Sequence, residues 1–323
     1  MKKEMFSQNG HWYKGNIHSH TTLSDGRLTP SEAVKLYKEN GYDFLSLSEH
    51  DYYVDLRSEF DTDDFILLPA VEASVILYDN DGLRIKTHHI HGMLGNKEMQ
   101  VKAGDQLIKH DERLEVPIYH GQWDGLKAAQ EVIDRLISKG CFVTYNHPSW
   151  SRVEIHEVVG LRHVWAMEIY NYATVVECGE GYNSVFWDSM LRMGNDVYGF
   201  ASDDNHNLPH LFDSLGGYIM VRAEELTHEC IVNHMLNGDY YFSSGPEIYQ
   251  WGIDGNKVYI SCSDVKYIHF IAGGPINSSE TIVKKEKVLE YGEHILRGNE
   301  TYIRIECVDS EGNTAWTNAI RLK

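Results

Sequence analysis

Two histidines separated by a single residue, His18 and His20, precede the aspartate Asp25. Side chains two residues apart on a β-strand point to the same side, so a strand here would direct both imidazoles at one site. Asp25 lies in the loop that follows and can fold back to add a carboxylate oxygen. Imidazole and carboxylate ligands suit divalent ions such as zinc, manganese or iron. This spacing also occurs by chance on protein surfaces, so the three residues alone predict little.

Residues of the same types recur at the ends of other apolar, strand-like segments. They are His50 after 43–48, Glu72 in 67–72, His89 and His91 in Arg84–Leu94, His147 after Cys141–Tyr145, and Asp203, Asp204 and His206 after 197–201. Burying an unpaired carboxylate such as Glu72 inside an apolar run would be costly. The carboxyl ends of parallel strands form the active-site face of α/β folds. We therefore predict that these residues share one metal site.

The elements that would position this site alternate between strand and helix up to about residue 245. Residues 30–40 predict a helix, with Thr29 as N-cap, Glu32 completing a capping box and Gly41 ending it. Further helices are predicted at 126–138, 183–193 and 224–236. This alternation predicts an α/β fold with a parallel sheet, open or closed into a barrel.

The pattern changes after residues 243–246. Short segments, several of them alternating polar and apolar residues, are separated by turn sequences such as Gly273-Gly274-Pro275 and Glu311-Gly312-Asn313. Such a series predicts a small antiparallel β-sandwich. The predicted domains are thus 1–245, which holds the candidate ligands, and 246–323.

The chain of 323 residues carries 29 Lys and Arg against 48 Asp and Glu, a formal net charge of −19. An acidic surface repels phosphates, so broad nucleic-acid binding is not expected. One anionic substrate held by metal ions remains compatible with this charge. Five widely spaced cysteines without a C-x-x-C pair are typical of a reduced, intracellular protein. No signal peptide or membrane-spanning run is apparent, so we expect a cytoplasmic protein without membrane contact and leave its oligomeric state open.

The order of the motifs resembles the PHP superfamily of polymerase-associated and histidinol-phosphatase-type metal-dependent phosphoesterases. The resemblance covers about residues 12–245 and rests on His18-Ser19-His20, Ser24-Asp25-Gly26, Glu49-His50-Asp51, Val71-Glu72, Asn146-His147-Pro148 and 202–206. Residues 12–18 and 243–246 are more similar to the metallohydrolase branch that includes carbaryl hydrolases. The resemblance implies a distorted (βα)7 barrel with a two- or three-metal site, and the C-terminal sandwich agrees with that branch in layout only.

Position by position, the resemblance implies nine metal ligands. They are His18, His20, Asp25, His50, Glu72, His89, His147, Asp203 and His206. Two positions remain open. His91 shares a strand face with His89 and is its alternate. An extra residue before His206 makes Asp204 the alternate to Asp203, although the strand-end register favours Asp203.

Metal ions grouped on one face would polarise a phosphoryl or carbonyl oxygen and lower the pKa of a bound water towards about 7. Glu72 would bridge two ions, and Asp25 or Asp203 would transfer the proton. Arg152, five residues after His147, is the first candidate cation for phosphate oxygens, and Arg27, just after Asp25-Gly26, is the second. Asp25, Glu72, Asp203 and Arg152 are therefore the candidate catalytic residues.

These features predict a metal-dependent hydrolase, foremost a phosphoesterase that cleaves a small organic phosphate or a nucleotide through a metal-activated water. The expected cofactors are two or three divalent ions of zinc, manganese or iron. The same site could instead cleave a carboxyl ester, a carbamate or an amide. A third hypothesis is a non-catalytic scaffold stabilised by metal, which presents the sandwich to a partner.

Overall fold

Helices and strands alternate along the chain and form a mixed α/β fold. The computed structural model describes residues 2–7, 9–285 and 287–322. The helices are α1 (Pro30–Glu39), α2 (Arg57–Phe60), α3 (Lys97–Ala103), α4 (Gly125–Ser138), α5 (Tyr172–Cys178), α6 (Ser184–Arg192) and α7 (His228–Asn237), with short 3-10 helices at Gly104–Gln106 and Ile155–Glu157. Among the described residues, no helix has both the length and the apolar character that crossing a membrane requires.

Local sequence determines where the helices begin. Thr29 caps α1 by accepting a hydrogen bond from Glu32 N, and the Glu32 carboxylate accepts one from Thr29 N at 2.8 Å. The predicted capping box is confirmed. Helix α7 begins at His228 rather than at residue 224, because the Thr227 hydroxyl accepts a hydrogen bond from Cys230 N and makes Thr227 the N-cap.

One sheet of six strands carries many of the candidate ligands. In spatial order its strands are β12 (Tyr198–Ser202), β11 (Ala166–Asn171), β10 (Cys141–Tyr145), β7 (Arg84–Leu94), β6 (Ala70–Tyr78) and β9 (Ile118–His120). Strands β10, β11 and β12 are parallel, as predicted. Strand β7 is antiparallel to both of its neighbours. Its pairing with β6 must be antiparallel because only residues 79–83 connect the two strands, and a parallel connection needs a long crossover. The sheet predicted as parallel is therefore mixed.

A second sheet of ten strands runs past residue 245. Its order is β18 (Glu280–Val283), β17 (Tyr267–Ala272), β20 (Tyr302–Val308), β21 (Thr314–Thr317), β14 (Tyr240–Ser243), β13 (Tyr218–Ala223), β2 (His11–Asn16), β3 (Phe44–Leu45) and β5 (Ile66–Leu67), with β22 (Ile320–Arg321) paired to β20. At the junction of β14 and β21, Phe242 lies opposite Trp316, and the two rings stack with their centroids 5.5 Å apart. Strands on both sides of residue 245 thus share one hydrogen-bonded sheet.

A third sheet joins the beginning of the chain to its C-terminal part. Its four strands are β1 (Lys2–Glu4), β15 (Ile248–Asp254), β16 (Lys257–Val265) and β19 (Leu289–Ile295), and a separate ribbon pairs β4 (Tyr52–Tyr53) with β8 (Glu112–Arg113). Trp251 and Ile260 of the third sheet pack with Phe270 and Ile305 of the second sheet in one buried cluster. The pairing of β1 with β15 adds an N-terminal strand to this C-terminal layer.

Two isolated parallel bridges connect the first two sheets close to the candidate ligands. Ser19 pairs with Asn205 beyond the ends of β2 and β12, and His50 pairs with Glu72 of β6. The segments that follow β2 and β12 therefore meet each other, and the segment that follows β3 meets β6. This convergence brings histidines from distant parts of the chain into one region.

Candidate metal centre

The end of β2 directs His18 and His20 into the same buried site. Both residues are fully buried, and their Nε2 atoms lie 3.2 Å apart. The Asn16 amide fixes this strand end, because Nδ2 donates to the His18 carbonyl oxygen at 3.0 Å and Oδ1 accepts from Asp203 N at 3.0 Å. The two imidazoles converge as predicted, although β2 ends at Asn16 and both histidines lie just beyond it.

Glu72 and Asp204 complete a group of four residues around a common point. Asp204 Oδ1 lies 2.9 Å from His18 Nε2 and 3.1 Å from His20 Nε2. The two Glu72 oxygens lie 3.3 Å from the same nitrogens, Oε1 from His18 and Oε2 from His20. An ion with bonds of about 2.1 Å holds its ligand atoms roughly 3.0–3.4 Å apart. These four residues therefore have the spacing of a metal site.

Asp25, His50 and His206 form a second, more exposed group beside the first. His206 Nε2 lies 3.3 Å from Asp25 Oδ1, and His50 Nε2 lies 3.5 Å from Asp25 Oδ2. The rings of His50 and His206 stack on the ring of His20 with centroids 4.3 and 4.5 Å away. His50 Nδ1 is also 3.1 Å from Glu72 Oε2, so Glu72 links the two groups.

His147 and Glu168 extend the site to β10 and β11. His147 Nε2 lies 3.3 Å from Glu72 Oε1. Glu168 Oε1 lies 2.8 Å from His18 Nδ1, and Glu168 Oε2 accepts a hydrogen bond from His147 N at 3.0 Å. A carboxylate on the second ring nitrogen orients a ligating histidine. Glu168 is absent from the residues that the motifs predict, although its place inside a buried apolar strand is the same signal that marks Glu72.

The neighbours Asp203 and Asp204 point in different directions. The Asp203 carboxylate accepts hydrogen bonds from Tyr37 Oη at 2.6 Å and from the backbone N–H groups of residues 215–217 at 2.7–2.9 Å. Asp204 has a φ of +54°, which is uncommon for a residue with a side chain, and its carboxylate faces the first histidine pair. The structure therefore places the carboxylate of Asp204 among the ligand atoms. The strand-end register had favoured Asp203 for this position.

His89 and its alternate His91 both reach the site from β7. His89 Nδ1 lies 3.3 Å from Glu72 Oε1, and these two residues form a third group of ligand atoms with His50. His91 Nε2 is 3.9 Å from the same oxygen, and its ring packs edge-on against His18 with centroids 4.2 Å apart. Neither nitrogen of His91 has a hydrogen-bond partner among the described residues. The geometry favours His89 by its shorter distance and leaves His91 as the alternate.

A cavity of about 300 Å³ opens onto the cluster, with Arg84 and Trp150 on its wall. The Arg84 guanidinium lies over the Trp150 ring, 5.8 Å from its centroid. The predicted cation Arg152 lies outside this lining, because its side chain is 62% exposed and pairs with Glu180 at 2.8 Å. Arg84 therefore occupies the place that the motifs assign to Arg152. Its only sequence signal is its position at the start of β7, the strand that carries His89.

Arg84 also restricts where His89 can carry its proton. Burial lowers the pKa of His89 to about 3, so the ring is neutral. A guanidinium only donates hydrogen bonds, so His89 Nε2, 3.0 Å from Arg84 Nη2, accepts one and the proton stands on Nδ1 towards Glu72. Ligation through Nδ1 would move the proton to Nε2 and release Arg84.

Charged groups of the cluster hold one another in their ionised forms. Burial alone would lower the pKa of His18, but three neighbouring carboxylates raise it well above its ordinary value. Burial would raise the pKa of Glu72, but the surrounding histidines hold it well below its ordinary value. Against the effect of burial, Asp25 and Asp204 raise the pKa of His206 to about 9. Divalent ions would take the place of these protons, because a ligating histidine must be neutral.

Glu49 holds the loop that carries Asp25. Its buried carboxylate accepts hydrogen bonds from Thr21 N at 3.1 Å, from Thr21 Oγ1 at 2.5 Å and from the Ser24 hydroxyl. Gly26 packs so closely that a Cβ there would lie 2.4 Å from a backbone carbonyl oxygen. These contacts explain the spacing Ser24-Asp25-Gly26, which places the aspartate beside the histidines.

The donor set fits divalent metal ions. Glu72 Oε2 and Asp204 Oδ1 are buried and lie close to histidine nitrogens, yet neither oxygen has a hydrogen-bond partner among the described residues. Buried carboxylate oxygens that lack such partners and lie among histidine nitrogens are expected where an ion binds. Mixed imidazole and carboxylate ligands suit zinc, manganese and iron.

The chain has a distant relative among curated proteins. It is 31% identical over 121 residues to the 5'-3' exoribonuclease Rnm of Salmonella typhimurium, a match to 34% of this chain and 41% of that protein. The chain thus spans less than half of the length of this relative. No protein-family model matches the chain.

Solved structures provide further likenesses. The chain is similar to a two-domain protein of Bacteroides vulgatus that contains a predicted PHP-like metal-dependent phosphoesterase, with 12% identity, 99% of both chains covered and a TM-score of 0.47. It is also similar to an amidohydrolase of Chromobacterium violaceum, with 13% identity, 70% of this chain and 96% of that chain covered, and a TM-score of 0.39. The description of the first of these structures names a PHP-like phosphoesterase, the family that the motifs resemble. The closer likeness to carbaryl hydrolases stays a prediction, since none of these descriptions names one.

Proposed function

We propose that the chain is a metal-dependent phosphoesterase that hydrolyses a small organic phosphate or a nucleotide at a site of two or three divalent ions. The observation that carries this proposal is the convergence of Glu72 and Asp204 on histidine nitrogens at 2.9–3.3 Å. An exoribonuclease cleaves phosphodiester bonds, so the sequence similarity to Rnm favours phosphate esters over carboxyl esters.

Nine residues hold the ions in this proposal. They are His18, His20, Asp25, His50, Glu72, His89, His147, Asp204 and His206. Bound zinc, manganese or iron would supply positive charge to stabilise phosphoryl oxygens and would lower the pKa of a water. Glu72 faces different histidine groups with its two oxygens, and Asn146 Nδ2 orients it by donating to Oε1 at 2.9 Å.

Arg84 is the proposed contact for the substrate phosphate. Its guanidinium lies on the cavity wall and can donate two parallel hydrogen bonds to phosphate oxygens. Asp25 also lines the cavity, and His206 and His50 lower its pKa below the ordinary value despite partial burial. Asp25 therefore stays ionised and can accept a proton. Neither Asp203 nor Arg152 has a catalytic role in this proposal, because each is engaged away from the cavity.

The size of the cavity limits the substrate. About 300 Å³ is at the lower end of small-molecule sites and accommodates one nucleotide or a compound of similar size. The net charge of −19 also disfavours a long nucleic-acid contact. The terminal nucleotide of an oligonucleotide is a second candidate substrate, favoured by the similarity to an exoribonuclease.

The architecture belongs to the same proposal. The bridges Ser19–Asn205 and His50–Glu72 support closure of β2, β3, β6, β7, β10, β11 and β12 into the distorted (βα)7 barrel. The buried cluster around Trp251 supports a C-terminal sandwich of two β-layers. In this division, 1–245 forms the barrel and 246–323 the sandwich, with β1 added to the second unit.

A substrate panel tests the function. Protein treated with a chelator and reloaded with manganese, zinc or iron is assayed on p-nitrophenyl phosphate, on a p-nitrophenyl phosphodiester and on p-nitrophenyl acetate. We expect hydrolysis of a phosphate ester that the chelator abolishes and a metal ion restores. Preferential cleavage of the acetate would instead favour the carboxyl-ester hydrolase. Stoichiometric metal without any hydrolysis would favour the scaffold.

A further inference from the structure

A second group of ligand-type side chains lies on α7 and in the connection that precedes it. Glu224 follows β13 directly, and Cys230 and His234 are four residues apart on α7, so that they share one face of the helix. Their ligand atoms lie within 4.8 Å of one another. Glu224 Oε2 is 2.7 Å from His234 Nε2 and 3.7 Å from Cys230 Sγ. A carboxylate, an imidazole and a thiol thus converge.

Asp239 fixes the orientation of His234. Asp239 Oδ2 lies 2.9 Å from His234 Nδ1, and Asp239 N donates to the His234 carbonyl oxygen at 2.9 Å. The turn that brings Asp239 back depends on Gly238, whose φ of +79° is left-handed. A carboxylate on Nδ1 holds the proton there and leaves Nε2 as the ligating nitrogen, an arrangement that recurs around zinc-binding histidines.

This group is remote from the metal centre described above. Ala223, which precedes Glu224, pairs with His11 at the beginning of β2, whereas His18 and His20 follow the end of β2. An extended chain rises about 3.3 Å per residue, so the two sites are roughly 20 Å or more apart. An ion bound on α7 would have no contact with the reacting atoms.

We propose that Glu224, Cys230 and His234 form a separate zinc site, with a water molecule as the fourth ligand. Tetrahedral zinc, with Zn–N of about 2.0 Å and Zn–S of about 2.3 Å, keeps its ligand atoms roughly 3.3–3.8 Å apart. The distance of 3.7 Å between Cys230 Sγ and Glu224 Oε2 already lies in this range. The Glu224 side chain is 55% exposed and can move the remaining few tenths of an ångström away from His234.

The ion would join the end of β13 to the second turn of α7. Thr227 already caps this helix, and the zinc would add a link between residues that flank the cap. On binding, the Cys230 thiol would give its proton to solvent and ligate as a thiolate. With Glu224 and the nearby Asp239, the site then carries enough negative charge to compensate a divalent cation.

Cobalt titration distinguishes this site from the first one. Thiolate ligation of Co²⁺ produces a sulfur-to-metal charge-transfer band in the near ultraviolet, and the ligands proposed for the first site include no cysteine. We expect metal-free, full-length protein loaded with Co²⁺ to develop this band with the amplitude of one thiolate-bound Co²⁺ per chain, in addition to the ions of the first site, and Zn²⁺ to remove it. Wild-type protein that binds Co²⁺ without the band would overturn the proposal and leave Glu224, His234 and Asp239 as a hydrogen-bonded group.

Variants assign the band to its ligands. Cys230→Ser and His234→Gln are expected to lose the band and to keep their hydrolytic activity. Cys178→Ser is the control, because Cys178 is exposed where Cys230 is half-buried, and its thiol also lies near a carboxylate, 3.9 Å from that of Glu180. Cys178 belongs to no group of ligand atoms among the described residues. The control should keep the band. A band that survives Cys230→Ser, or that disappears in Cys178→Ser, would contradict the assignment.

Zinc protection of thiols provides an independent readout. Iodoacetamide should alkylate Cys178 with or without zinc, whereas zinc should slow alkylation of Cys230 at least about tenfold because it binds the thiolate. Equal rates at Cys230 with and without zinc would contradict the site. Neither measurement depends on the hydrolytic function, so this inference stands or fails separately.

Discussion

Asp203 and Asp204 are neighbours in the chain, yet their carboxylates have different partners. Four donors surround the Asp203 carboxylate, while Asp204 faces the nitrogens of His18 and His20. Burial raises the pKa of Asp203 to about 6, and the donated hydrogen bonds limit that rise. Asp203 therefore holds a loop, and Asp204 has the position of a ligand.

The two aspartates should differ when each is changed to asparagine. We expect Asp204→Asn to weaken metal binding about 100-fold or more, because even residues that only orient ligands are worth 10–100-fold. Asp203→Asn should keep the metal content but lose about 1–3 kcal/mol of unfolding free energy, since the amide cannot accept all four hydrogen bonds. Metal analysis and urea unfolding measure both effects. Metal loss confined to Asp203→Asn would reverse the assignment.

Arg84 and Arg152 provide a similar contrast in substrate binding. We expect Arg84→Gln to raise KM for an aryl phosphate about tenfold or more, because a hydrogen bond to a charged group contributes about 1.5–3 kcal/mol. Arg152→Gln is the control and should leave KM unchanged, since Arg152 pairs with Glu180 outside the cavity. Steady-state kinetics at saturating metal measure the difference. Equal KM values for both variants and the wild type would show that Arg84 does not contact the substrate phosphate.

At the level of elements, buried carboxylates hold several loops by accepting backbone hydrogen bonds. Glu49 holds the loop that begins at Thr21, and Asp203 holds residues 215–217. Glu300 does the same between β19 and β20, where it accepts from the N–H groups of residues 297–299 at 2.9–3.1 Å. Burial would raise the pKa of Glu300, but these N–H groups lower it below the ordinary value. Buried carboxyl side chains thus replace regular secondary structure at these turns.

Glu300 should make stability depend on pH. Its pKa is lower in the folded than in the unfolded chain, so its contribution is present above an unfolded pKa of about 4.3 and disappears as pH falls through the folded value. We expect Glu300→Gln to cost about 1–2 kcal/mol of unfolding free energy at pH 7 and less at pH 3. Glu311→Gln, at an exposed turn residue, is the control. Denaturant unfolding at both pH values measures the difference. An equal loss of unfolding free energy at pH 7 and pH 3 would contradict the role of the ionised Glu300 carboxylate.

At the level of the whole molecule, the N-terminal and C-terminal parts are joined by a buried ion pair as well as by a shared sheet. Arg304 of β20 is 1% exposed and contacts Asp188 of α6 through two hydrogen bonds of 2.8 and 2.9 Å. Its guanidinium also lies 4.8 Å from the centroid of the Trp187 ring. These contacts make 246–323 a part of the packing around α6.

Removing one partner of this ion pair should be strongly destabilising. We expect Arg304→Met to cost about 3–5 kcal/mol of unfolding free energy, because it leaves Asp188 without its charged partner. The double variant Arg304→Met, Asp188→Leu should recover part of that loss. Arg152→Met is the control, since Arg152 is 62% exposed, its ion pair with Glu180 lies at the surface, and such pairs contribute about 1 kcal/mol or less. Similar losses for both arginines in urea unfolding would contradict the role of burial.

The sequence by itself determined the features that depend on residues close to one another along the chain. The spacing of His18 and His20 predicts one shared site because strand side chains repeat every two residues. Thr29 and Glu32 predict the beginning of α1 because a capping box spans only three residues. Histidine and carboxylate groups that follow the parallel strands β2, β3, β10 and β12 predicted that these strand ends meet, since parallel strands end on one face.

Only the tertiary structure decided which side chains of those segments meet. With a left-handed φ at Asp204, the carboxylate of Asp204 rather than that of Asp203 faces the histidines. Glu168 contacts His18 although the two residues are 150 positions apart in the sequence. The short connection before β7 brings Arg84 to the cavity, where the motifs place Arg152. A motif records residue types and local spacing, whereas the direction of a carboxylate or a guanidinium depends on packing between strands that are distant in sequence.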